Sequence, residues 1–214
     1  MNPRAVAAEA LGTCLLVAAV VGSGIMADRL TDDIALALLA NAVATGAALI
    51  VLIGVFAPLS GAQFNPAVTL VMLARGETGA ATAAAFIAAQ VAGGIAGTFL
   101  AHAMFELPLW QVSATARGGT GQWIAEVVAT AGLILTILGT RAAGRDVAVA
   151  VGLYIVAAYW FTASTSFANP AVTLARSLTG TFVGIAPADV AGFILSQAAG
   201  AALGATIWRG LKRS

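Results

Sequence analysis

Charge is scarce in this chain. Lys, Arg, Asp and Glu make up 9% of its 214 residues, against about a quarter in a soluble domain, so an ordinary water-facing surface cannot be built from it. One histidine, His102, and one cysteine, Cys14, leave no metal-ligand cluster and no intrachain disulfide. Cys14 lies in an apolar stretch, where a small buried hydrophobe is its expected role. No glycine-rich phosphate loop and no Ser placed with a base can be found, so enzymatic classes have no footing and no cofactor or metal is expected. A net charge of +1 argues against nucleic-acid binding as well.

Apolar residues fill the space that charge leaves. They are 60% of the chain, mean hydropathy is +0.97, and 24 glycines allow helices to approach closely. Six apolar spans are expected, over about 5–27, 34–56, 78–105, 122–140, 147–165 and 188–208. The first is long for a signal-peptide core, and Arg4 is the one charge before it, so it reads as a retained helix. Trp110, Trp123 and Trp208 fall near span ends, as an interfacial belt requires, whereas Trp160 falls inside the fifth span, to pack or line a passage. His102, near the end of the third, is expected to be a satisfied interfacial residue. With both termini on one side, that side holds Arg4, Arg75, Arg141, Arg145, Arg209, Lys212 and Arg213, and the other holds Arg29, Arg117 and Arg176. The positive-inside rule then puts both termini in the cytoplasm of a multi-pass protein of the cell's inner membrane.

The sequence Asn-Pro-Ala-Val-Thr-Leu occurs twice, at Asn65–Leu70 and Asn169–Leu174. Asn is a good N-cap and Pro suits the first helical turn, so each copy starts a helix. The first, over 66–75, would reach about 15 Å, half the hydrocarbon thickness of a bilayer. Both halves repeat more than this: Glu9 with Thr13 is echoed by Glu126 with Thr130, and Gln90 before a glycine-rich run by Gln197 before another. One unit is duplicated, over about 5–105 and 122–208, within a single transmembrane domain covering 1–214. Three full spans per unit is an odd number, so the second copy enters the membrane from the opposite side. Such inverted repeats place their site near the midplane, where the broken helices meet.

At these residues the chain resembles the aquaporin family of water and small-solute channels. The run from Ser60 to Val68 is similar to the family's first signature loop, Asn169-Pro170-Ala171 to its second, and Glu9 and Glu126 to its repeated glutamates. The resemblance implies an all-α right-handed bundle of six transmembrane helices with two re-entrant half-helices, a pore in every subunit and a homotetramer. It also suggests, more narrowly, the Arg-less bacterial aquaglyceroporins linked to arsenic resistance.

The pore's physics can be argued directly. Two half-helix N-termini, each with roughly half a positive charge, make a midplane barrier to cations and protons while sparing neutral solutes. Asn65 and Asn169, with Pro66, Ala67, Pro170 and Ala171, form that point; their amides offer donors, and loop carbonyls of 60–64 and 164–168 offer acceptors. Asn residues acting as caps alone would not explain a mirrored pair at lipid depth.

One departure from the family stands out. Val172 occupies the place of its filter Arg, and no His lies on the fifth helix. Counting back from each Asn puts the other filter positions at Thr45, about Ala157, and Ser166, all small, so a wide and weakly polar constriction is expected. Arg176, one helical turn beyond Val172, has two readings: an outer-mouth charge replacing the missing Arg, or a long side chain snorkelling to the extracellular interface to hold loop carbonyls or headgroups, which is the reading favoured here. Glu9 and Glu126 are either coupling-ion sites or braces for the re-entrant loops, and the need to satisfy loop N–H groups in lipid favours bracing. Gln63, where the family commonly has His, would brace or line the pore, and Gln90 and Gln197 would serve the scaffold. The reading is a passive channel for glycerol-sized polyols, neutral metalloids such as arsenous acid, and water, with membrane lipids as its surroundings. An ion-coupled transporter with inverted repeats is the competing class, and an occluded structural membrane protein the third.

Overall fold

The computed structural model describes residues 2–212, so Arg213 lies outside the described residues. Among the described residues eight helices follow one another: α1 (Pro3–Leu30), α2 (Ile34–Ser60), α3 (Pro66–Ala74), α4 (Ala80–Met104), α5 (Thr120–Ala142), α6 (Val147–Phe161), α7 (Pro170–Arg176) and α8 (Pro187–Leu211). No strand occurs among the described residues. α1, α2, α4, α5 and α8 are long and apolar enough to cross a membrane, and α6 is a shorter apolar helix of 15 residues. The fifth span ends before its expected limit of 165 because Thr162 turns to extended backbone and caps α6 by returning its hydroxyl to the Ala158 carbonyl at 2.6 Å.

Polar side chains mark the helix starts in matched pairs. Asp33 Oδ1 accepts from the amides of Ala35 and Leu36 to start α2, and Asp146 Oδ1 accepts from Ala148 and Val149 to start α6. Asn65 and Asn169 cap α3 and α7, with Pro66 and Pro170 in the first turn of each.

Glycine then brings the helices together. A side chain at Gly93 or Gly97 of α4 would strike the carbonyls of Ala10 and Cys14 on α1; at Gly200 or Gly204 of α8 it would strike those of Val127 and Ala131 on α5. Four-residue glycine spacing allows this backbone-to-backbone approach, and both halves use it. α2 crosses α6 where Gly46 and Gly152 face each other's carbonyls. These contacts frame a bundle into which α3 and α7 insert from opposite ends. Cys14, in this close-packed α1–α4 region, is half-buried. His102 is buried at the end of α4, where its ring nitrogens meet the Leu109 carbonyl at 2.8 Å and the Thr179 hydroxyl at 2.9 Å.

Candidate functional site: a pore between two half-helices

Each half-helix starts from a loop in unusual backbone. Of the six non-glycine residues with positive φ among the described residues, five lie in the two loops: Ala62 and Phe64 before α3, and Thr165, Ser166 and Ala168 before α7. Such conformations are strained and persist only where surroundings over-determine them. Here buried glutamates do so. Glu9 of α1 accepts from the Ser60 hydroxyl at 2.6 Å and from the amides of Gln63 and Phe64 at 2.9 and 2.6 Å. Glu126 of α5 accepts from the amides of Phe167 and Ala168, both at 2.9 Å. Gln90 spans Glu9 and Thr69 with its Nε2, and Gln197 spans Glu126 and Thr173 in the same way. Held by its amides to a carboxylate, each loop lines the cavity beside it.

The two loops are also tied to each other. Asn65 Oδ1 holds the Ala67 amide while Nδ2 donates to the Ala168 carbonyl at 2.7 Å; Asn169 Oδ1 holds the amides of Ala171 and Val172 while Nδ2 donates to the Phe64 carbonyl at 2.8 Å. Every Asn thus caps its own half-helix and grips the opposite loop. An amide nitrogen carries two protons, so one donor on each remains for a solute.

A cavity of about 450 Å³ passes this point. At one end it is lined by Gln63, Glu77, Thr78 and Arg141, in its middle by Asn65 and Asn169, and at the other end by Thr45, Tyr159, Ser166, Val172 and Arg176. Aliphatic walls from Leu49, Ile53, Leu133, Ile137 and Val151 face the polar loops. Gln63 donates weakly to Thr78, at 3.4 Å, and its Oε1 is buried without a partner. Beside the first end, Glu77 bridges Arg75 and Arg141, each at 2.7 Å.

Three expectations require correction. Ala157 does not line the cavity but faces outward; Tyr159 lines it instead, with its hydroxyl 3.3 Å from that of Thr45. Two residues along a helix turn it by about 200°, so a misplacement of two exchanges its faces. Trp160 does not line the passage but lies on the outer surface of the bundle, 49% exposed. Arg176 does not snorkel to the interface. It is 2% exposed, its Nε donates to the loop carbonyl of Val183 at 2.5 Å, and its guanidinium lies 3.4 Å from the Phe167 ring centroid. The outer end is therefore not lined by small residues alone.

The profile of the Major intrinsic protein family matches residues 1–147. The chain belongs to that family. It is similar to Aquaglyceroporin AqpS of Rhizobium meliloti (strain 1021), with 58% identity over 209 residues, 97% of this chain and 90% of that protein. It is 33% identical to Aquaporin A of Dictyostelium discoideum over 184 residues, 79% of this chain and 66% of that one. Its structure matches the aquaglyceroporin from Plasmodium falciparum with a TM-score of 0.72 at 25% identity, covering 96% of this chain and 93% of that one. The protein is thus a multi-pass membrane channel of the aquaporin type for small neutral solutes and water, and not an enzyme.

Proposed function

We propose that this channel passes uncharged hydroxylated solutes of glycerol size, among them neutral metalloids such as arsenous acid, along with water, through a filter whose charge comes from Arg176. The supporting observation is the outer end of the cavity. Val172 leaves room where an Arg side chain would stand, and Arg176, one turn further along α7, lines the same cavity with a guanidinium held in place by Val183 and Phe167. Tyr159 and Thr45 add hydroxyls to that end, so a solute bearing several hydroxyls meets both donors and acceptors. Glu9 and Glu126 act as braces: each is engaged by loop amides and a glutamine, which leaves a coupling ion little to bind. The whole of 1–214 works as one channel domain of two inverted repeats, in a homotetramer of the inner membrane with both termini cytoplasmic.

Stopped-flow swelling of proteoliposomes in water, glycerol, urea and arsenous acid tests the solute range. Glycerol and arsenous acid should permeate as well as water. Water permeation without either solute would overturn the wide-filter reading.

A further inference from the structure

A second cavity, of about 540 Å³, opens on the outer surface of the bundle between α3, α4 and α8, away from the pore. It begins at Pro66 and Pro170, where the half-helices start, and follows α3 and α8 to Arg75 and Arg209. The floor is apolar and shallow because α8 presents Ala198, Ala202 and Ala205 there. From Pro66 to Arg75 the groove runs about 13 Å along a helix, close to the half-thickness of a bilayer core. One end lies where the two half-helices start, and both of its cations, Arg75 and Arg209, stand at the other.

We propose that this groove binds one anionic phospholipid, with an acyl chain along α3 and the headgroup phosphate between Arg75 and Arg209. Length and charge position together select this occupant. A single-leaflet acyl chain spans the distance from the midplane to the headgroups, and a phosphate then sits where two guanidinium groups can donate to it. Arg75 is joined through Nε to Glu77, which orients it and leaves its other nitrogens for the phosphate. The chain lies on the back of α3, whose other face turns Val68 and Met72 to the pore, so the lipid covers the part of the half-helix left open between α4 and α8.

Native mass spectrometry of the detergent-solubilised protein, titrated with phosphatidylglycerol or phosphatidylcholine, tests this. Phosphatidylglycerol should bind with one preferred site per subunit and more tightly than phosphatidylcholine. Arg209→Gln should weaken it about fivefold, the effect of one cation near an anionic headgroup, while Arg4→Gln, outside the groove, should not. Ala202→Trp should fill the groove and remove the preferred site. Equal binding of the two lipids, or equal loss with Arg4→Gln, would reduce the site to diffuse surface charge and overturn the proposal. So would unchanged lipid binding in Ala202→Trp, and if the same variant lost subunit association the groove would belong to a second copy of the chain. Water flux measured on each variant separates a failed lipid site from a failed pore.

Discussion

Arg176 lies over the ring of Phe167, 3.4 Å from its centroid, on the loop that precedes its own half-helix. A cation on an aromatic face is attracted to it, and the Val183 carbonyl fixes Nε at the same time. The guanidinium is thereby held in place at the end of the cavity that it lines. Arg176→Gln should raise glycerol flux relative to water by about one decade, the effect of ~1.4 kcal/mol on a barrier, and should admit cations. Val172→Arg should do the reverse, cutting glycerol and arsenous acid more than water, because a second long side chain would enter the same end. Solute swelling rates and a membrane-potential dye read both. An unchanged size cutoff and no cation leak in Arg176→Gln would place the filter elsewhere.

Asn65 and Asn169 face a different test. Either one changed to Asp keeps the cap but places a carboxylate at the meeting point of two helix N-termini, against their positive potential. Proton or cation leak should appear in a pH-sensitive dye assay, with water flux retained. Unaltered ion exclusion in folded Asp variants would mean the midplane barrier does not depend on these residues.

Loss of a brace should show in stability before selectivity. Glu9→Ala removes the acceptor for Ser60, Gln63, Phe64 and Gln90, and each buried donor left unpaired costs about 1–3 kcal/mol. Yield of folded protein should collapse. Glu9→Gln, which keeps one acceptor oxygen, should fold in reduced amount with a lower melting temperature and an unaltered solute ranking. A Glu9→Gln variant that folds normally but changes its ranking would point to a transport role for the carboxylate.

The repeated hexapeptide made the two half-helices legible, because capping and proline placement are local effects: α3 and α7 start at Pro66 and Pro170 as expected. Apolar run length located the full helices to within a few residues for the same reason. The filter was harder to read. Five residues, 61–65, separate α2 from α3, whereas eight, 162–169, separate α6 from α7, so counting back from each Asn lost the helical phase on α6 and selected Ala157 over Tyr159. Nothing local in the sequence fixes that loop length. The burial of Arg176 was equally out of reach, since it depends on Phe167 and Val183 arriving from either side of α7.

At the other mouth, Glu77 should not act as a proton gate near neutrality. Burial alone would raise its pKa, but hydrogen bonds and attraction from Arg75 and Arg141 outweigh this and hold the carboxyl below its ordinary value. A group depressed on folding contributes stability above its unfolded pKa, near 4.3 for Glu, and loses it only as pH falls through the lower folded value. The Arg75–Glu77–Arg141 bridge should therefore persist from pH 8 to about pH 5, with flux unchanged across that window. A flux transition between pH 6 and 7 that Glu77→Gln abolishes would contradict this.

Passive conduction is the claim on which the rest depends, and uptake of radiolabelled glycerol into proteoliposomes, with and without an imposed proton or sodium gradient, tests it most directly. Internal glycerol should rise to the external concentration and stop there, at a rate that neither gradient changes. Accumulation above that concentration on imposing either gradient would make the protein a coupled transporter and return Glu9 and Glu126 to the role of ion sites.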